Sequence, residues 1–358
     1  MSALAKRAGP AAGLMVAWIL FAVLAGPDFV SAPNQRLMLL QTAVVGTAAV
    51  GATLIIVAGG IDLSVGATIA LGTMAGALAL RAGLGPAVAA LAAVLTGTAA
   101  GVAIGALVVG EVALVGAIAV ATFAGWRAGG SGGAAIGLAL GAVAGLVARR
   151  IVPRAPLPPF VVTLGAWGAL RGLAKGLGDN QPVYPPLPGG TGWIGDLMHG
   201  SGAILPAGCW ILFAVAAAFA LGLRNTRFGL EATAVGSNEE AARLCGVDVA
   251  RTKVLCYALG VTCAGIAALL QLSYLSMGDP TTAQGAELQV IAAAVLGGAS
   301  LSGGEGSILG TLVGALLMSV VSNGCTQMGL DNWVQECVTG AIIVAAVALD
   351  RVRSAKGR

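Results

Sequence analysis

Apolar residues run in long, unalternating stretches along this chain, and the polar positions gather in a few short intervals between them. A helix needs about 20 consecutive apolar residues to cross a bilayer. Windows of that kind predict twelve spans, at 11–26, 38–58, 64–81, 86–109, 111–126, 132–149, 160–177, 205–223, 254–277, 286–299, 306–326 and 334–350. Three of them, 111–126, 160–177 and 286–299, are short or interrupted. A transmembrane barrel would instead show alternating strands of about ten residues and aromatic girdles. The expected fold is all-α, a single polytopic integral membrane domain of about 10–12 helices.

Composition sharpens this picture. Of 358 residues, 58% are hydrophobic and only 9% charged, against about 25% charged in a soluble domain. The 56 glycines and the 4% aromatic content suit helices that approach closely, because helix association in lipid rests on packing. Cys209, Cys245, Cys256, Cys263, Cys325 and Cys337 form no C-x-x-C pair, and His199 is the sole histidine. A metal site therefore has almost no ligand supply, and none is expected. The net charge of +4 fits cytoplasmic loops and gives no reason to expect nucleic acid.

The basic residues orient the spans. Residues 176–223 carry no Lys or Arg, whereas 224–253 carry Arg224, Arg227, Arg243, Arg251 and Lys253. Arg149, Arg150 and Arg154 form a second cluster, and Arg351, Arg353, Lys356 and Arg358 a third. The positive-inside rule places these clusters, with Lys6 and Arg7, on the cytoplasmic side. Twelve alternating spans satisfy every one of those assignments, with both termini cytoplasmic and Arg36, Arg81 and Arg127 as single exceptions. The first apolar run reads as an uncleaved helix rather than a removed leader. The polar stretch 178–204 becomes a periplasmic loop, and 224–253 a cytoplasmic one.

An internal repeat is visible. "GGIDLSVGATIALGTMAGAL" (59–78) and "GGASLSGGEGSILGTLVGAL" (297–316) align without a gap, identical at eleven of twenty positions. Repeats with helix breaks at matching places mark transporters, and the breaks point to the pathway. The candidate pathway residues are Gly59, Gly60, Asp62, Ser64 and Gly66 in one copy. In the other they are Gly297, Gly298, Ser300, Ser302 and Gly304. Eight spans separate the copies, so their expected orientation is parallel. Asp62 stands out, since a charge inside the membrane is expensive. Its counterpart Ser300 is uncharged but shares the ability to cap a helix N-terminus. Capping a new helix at Leu63 and direct contact with substrate are the two roles open to it.

The cytoplasmic loop "RNTRFGLEATAVGSNEEAARLCGVDVARTKV" (224–254) encloses a short helix. Ser237 or Asn238 can cap its start, with Glu240 completing a capping box to Ser237. Glu239 and Glu240 complement the helix dipole, and Gly246 supplies a left-handed stop. Two turns of helix are not stable alone, so they are expected to dock on another protein.

With "GGIDLSVGA", "PPFVVTLG" (158–165) and "ELQVIAAAVLGGASLSGGEGSILGTLVGALL" (287–317), the segment "GSNEEAARLCGVDVARTK" resembles the ribose-type monosaccharide permeases of ATP-binding-cassette (ABC) importers. The similarity covers residues 38–81 and about 140–350. It implies a bacterial inner-membrane subunit that pairs with a second copy or a homologue. It also implies separate ATPase subunits carrying ATP and Mg, and a periplasmic or lipid-anchored sugar-binding protein. The coupling contact carried over is Asn238, Glu239, Glu240, Ala241, Ala242, Arg243 and Gly246. Such permeases usually have about ten helices, so residues 86–126 are expected to be an extra helical hairpin.

The chain lacks a G-x-x-x-x-G-K-[ST] loop, and none of Lys6, Lys175, Lys253 and Lys356 precedes Ser or Thr. No cofactor and no catalysis are expected in this subunit. Three rival readings remain at this level: an ABC permease for branched-chain amino acids, nucleosides or a signalling furanose, an ion-coupled secondary transporter, and a membrane enzyme. The intramembrane acids available to a coupled carrier are few, and one histidine does not make a nucleophile–base pair.

Overall fold

The computed structural model describes residues 3–186, 190–200 and 205–355, and among these it is helical with one isolated β-bridge. The first helices are α1 (Ala3–Leu24), α2 (Pro27–Val30), α3 (Ala32–Val57), α4 (Val65–Arg81) and α5 (Gly85–Val108). Next come α6 (Val112–Ile151), α7 (Pro159–Leu177), α8 (Trp193–His199), α9 (Ala207–Asn225) and α10 (Arg227–Ser237). The chain closes with α11 (Glu239–Leu244), α12 (Val249–Leu275), α13 (Ala286–Leu296), α14 (Ile308–Gln327) and α15 (Asn332–Ala355). Among the described residues, α3, α5, α9, α12 and α14 are long and apolar enough to cross a membrane, and five shorter helices are apolar.

The centre of the bundle is α3. It is buried almost continuously from Thr42 to Val57 and packs on α9, α12, α13 and α14. Against α12 lies α5, whose Gly97, Gly101 and Gly105 come up against the backbone of Val261, Tyr257 and Val254. Small residues four apart present a flat stripe on which a second backbone can rest. Large apolar side chains stand exposed on α1 and α9, among them Val23 and Trp210.

One element departs from the expected layout. Helical hydrogen bonding runs from Val112 to Ile151, which as a straight rod would be about 60 Å long. Yet Gly137 abuts Ala121, Gly141 abuts Ile118, and Gly145 abuts Leu114. Residues that a straight helix would hold roughly 24 to 47 Å apart are in contact, so the segment folds back on itself near Gly130, whose φ is +60°. The self-packed helical pair is thus 112–151, two of the twelve expected spans. The expectation for 86–126 placed a hairpin one helix earlier, but α5 packs into the bundle against α12 and α4.

Candidate functional site

Both repeat copies contain a break, and the breaks close alike. Helix α3 ends with the Gly59 N–H on the Ile56 carbonyl and the Gly60 N–H on that of Ile55, both at 2.9 Å. Helix α13 ends with the Gly298 N–H on Val295 and the Ala299 N–H on Ala294, again at 2.9 Å. This is the Schellman arrangement that satisfies orphan carbonyls at a helix end. It sits on Gly59 and Gly298, one residue out of step with the ungapped alignment.

After the breaks the copies diverge further. Helix α4 begins after Ser64 and α14 after Ser307, with the N–H of Thr68 and of Thr311 each 2.8 Å from the serine carbonyl four residues back. Ser307–Thr311 is therefore the counterpart of Ser64–Thr68, and the second connection is four residues longer. The sequence alignment paired Thr311 with Thr73 instead, because glycine-rich helices match in several registers.

Asp62 is 2% exposed and does not cap α4 directly. Its Oδ1 accepts the Ser64 N–H at 2.8 Å and the Ser64 hydroxyl at 2.6 Å, an Asx turn one step before the helix. Ser300 does the same with its Oγ, which accepts the Ser302 N–H at 3.3 Å. The shared property of Asp and Ser is accepting a backbone N–H two residues on. The expectation that a new helix begins at Leu63 is corrected to Val65, and the helix of the second copy begins at Ile308. Asp62 Oδ2 has no hydrogen-bond partner. The Ile61 carbonyl accepts from Thr163 at 3.2 Å and from Tyr257 at 3.4 Å, which holds the extended segment against α7 and α12.

The two breaks meet at the end of α10. The Gly304 N–H donates to the Val57 carbonyl at 2.9 Å. A Cβ on Gly303 would stand 3.0 Å from the Gly59 Cα and 2.5 Å from the Gly236 carbonyl oxygen. Gly236 and Ser237 end α10, immediately before α11. A Cβ on Gly236 would collide with the Val57 carbonyl, so only glycine lets these three backbones touch. The longer second connection is what reaches Gly236 and Ser237. Gly59, Gly304 and the start of α11 are thus brought together. Asp62, Ser64 and Gly66 lie deeper, with Gly66 against Ala283 and Glu287.

Helix α11 is short, capped and anchored. The Asn238 side chain accepts the Ala241 N–H at 3.0 Å. Ser237 belongs to α10 and donates to the Thr233 carbonyl at 2.8 Å, so Asn238 is the cap and the expected capping box between Ser237 and Glu240 does not form. Gly246, at φ +82°, ends the helix with the Val247 N–H on the Ala242 carbonyl at 3.1 Å, as a glycine at that position should. Glu239 bridges Arg243 at 3.1 Å and Lys253 at 2.6 Å, tying α11 to α12. Ala242 is buried with Val235 and Val249. Asn238, Glu240, Ala241, Arg243 and Gly246 face solvent. So does Leu244, 86% exposed, which the sequence reading left out although an apolar residue on a polar loop was its signal.

A cavity of about 280 Å³ opens between α3, α4, α12, α13 and α14. Its polar wall is made by Gln41, Gln271, Tyr274, Gln289, Ser319 and Ser322, and none of the ten candidate pathway residues lines it. Among the described residues no cluster of His, Cys, Asp and Glu could hold a metal ion.

The family described as "Branched-chain amino acid transport system / permease component" matches residues 107–347. The chain belongs to this permease family. Among its relatives, "Probable ABC transporter permease protein YphD" of Escherichia coli K12 is 37% identical over 93% of this chain and 87% of its own length. The ribose import permease protein RbsC of Bacillus subtilis is 34% identical over 98% of this chain and 94% of its own. The fructose import permease protein FrcC of Rhizobium meliloti is 31% identical over 94% and 83%. No solved structure matches. The permease is an all-helical multi-pass membrane subunit and is not itself an enzyme.

Proposed function

We propose that this permease carries a monosaccharide inward across the bacterial cytoplasmic membrane as one subunit of an ABC importer. The observation that carries the reading is the contact of α10–α11 with both repeat breaks. A capped two-turn helix exposes Glu240, Arg243 and Leu244, and in this reading it faces the cytoplasm. Behind it, Gly236 touches the end of α3 and Gly303–Gly304 within the α13–α14 connection at once. A push on α11 therefore reaches both candidate gates through backbone contacts, which are stiffer than side-chain ones.

The push would come from separate ATPase subunits, which hold ATP and Mg. A second copy or a homologue completes the pathway, and a periplasmic or lipid-anchored binding protein delivers sugar. Both termini then face the cytoplasm. The substrate class follows relatives named for ribose and fructose import that align over nearly the whole chain. The test is to express the permease with its candidate ATPase and binding protein and to measure ATP hydrolysis in nanodiscs. Sugar-loaded binding protein should raise hydrolysis in the full complex. Failure of the ATPase to co-purify with the permease would refute the reading.

A further inference from the structure

We infer that the cavity between α3, α4, α12, α13 and α14 is a binding site within the membrane for a neutral polyol, and that it discriminates against charged solutes. The inference rests on the importer reading and adds to it a site and a rule of selection.

The composition of the wall is the first observation. It carries three glutamines besides Gln284, together with Tyr274, Ser319 and Ser322, and no charged side chain. Amides and hydroxyls both donate and accept, so they can meet sugar hydroxyls in either sense. The remaining wall, including Val44, Ile69 and Val290, suits the C–H faces of a sugar ring. A carboxylate or a phosphate would have to leave water without a counter-charge on the cavity wall, and an unpaired charge is heavily penalised at such a site. The acid closest in sequence, Glu287, packs towards Gly66 and has the sign that repels a carboxylate.

The second observation is independent of the first. Ser319 is 4% exposed, and its Oγ has no hydrogen-bond partner. Gln41 Oε1 is likewise buried without one. Buried polar atoms in folded proteins are normally paired, so two orphans on one wall mark a place where a visiting hydroxyl or water completes the bonding. Gln271, by contrast, is already held by its bond to Thr282 Oγ1 at 3.0 Å.

The location fits a receiving site. Gln271 and Tyr274 stand at the end of α12, on the order of 30 Å along that helix from its first turn beside α11. The cavity therefore lies towards the end of the bundle remote from the coupling loop. Tyr274 stacks on His199 of α8, with ring centroids 6.4 Å apart, which joins the cavity to the outer loop.

The experiment is saturation-transfer NMR on the full-length permease in nanodiscs, with D-ribose, L-arabinose, D-fructose, L-leucine and D-ribose 5-phosphate as probes. At least one neutral sugar should receive saturation, while L-leucine and the phosphate should not. Gln41→Met with Gln289→Met should weaken sugar binding about fivefold for each hydrogen bond lost. Ser319→Ala, which removes one oxygen only, provides a milder variant where the double one does not elute as the wild type does. Saturation of L-leucine, no saturation by any of the sugars, or wild-type sugar binding in the folded variants would overturn the inference. ATP-driven uptake by the wild-type complex in that event would leave the importer reading standing.

Discussion

Gly304 donates its backbone N–H to the carbonyl of Val57 at 2.9 Å, and so ties the α13–α14 connection to the end of α3. Both ends of that bond rest on Gly236, the next-to-last residue of α10. The gates and the loop that would drive them thus share a contact of three backbones. Gly236→Ala should lower the thermal stability of the purified permease by about 1–3 kcal/mol, the usual cost of overpacking. Sugar uptake should fall more steeply than the membrane level of the protein. Uptake in proportion to protein level would show that the contact is structural alone.

Asp62 acts through Oδ1, which holds the Ser64 N–H and hydroxyl. Asp62→Asn keeps that acceptor and is expected to leave uptake near wild type. Asp62→Leu strands a buried N–H and a buried hydroxyl, which costs about 1–3 kcal/mol each. That variant should show a lower melting temperature and a lower membrane level. A well-expressed Asp62→Asn without transport would mean that the charge itself is needed.

On the coupling helix, two substitutions separate folding from docking. Asn238→Ala removes the cap and should cost about 1 kcal/mol of local stability, read as faster amide exchange over 239–244. Leu244→Asp changes a side chain that is 86% exposed and should leave stability unchanged. It should nevertheless lower ATPase co-purification, because apolar side chains at the centre of an interface carry much of its energy. Undiminished co-purification by Leu244→Asp would place the docking surface elsewhere.

The loop proposed to face the periplasm has its own test. Tyr184 and Trp193 are 65% and 48% exposed, on a loop held in place by the Val183–Gly278 bridge and by Arg36 on the Gly200 carbonyl. Part of the expected 178–204 loop, residues 187–189 and 201–204, lies outside the described residues. Tyr184→Ala with Trp193→Ala should weaken stimulation by the binding protein while leaving basal hydrolysis intact. Equal stimulation would make the loop a passive connector.

What was legible in the sequence was local. The stop at Gly246 and a polar cap near Asn238 show in the residues themselves, since caps and positive-φ glycines act within one turn. The apolar runs marked the helices for the same reason. The longer second connection was hidden, because Gly-Leu-Gly-Thr patterns let Thr311 align with Thr73 as easily as with Thr68. The cavity was hidden more deeply. Gln41, Gln271, Gln289 and Ser319 come from four different helices, and no spacing along the chain announces that they share a wall. Each alone is an amide or hydroxyl in an apolar helix, a position that rewards suspicion in a membrane protein.

The most direct test of the central claim is uptake of radiolabelled sugar into proteoliposomes, with the permease alone and with its ATPase and binding protein. The permease alone should move no sugar under a proton or sodium gradient, and the full complex should accumulate it only with ATP and Mg on the ATPase side. Gradient-driven accumulation by the permease alone would contradict the account and make the chain a secondary carrier.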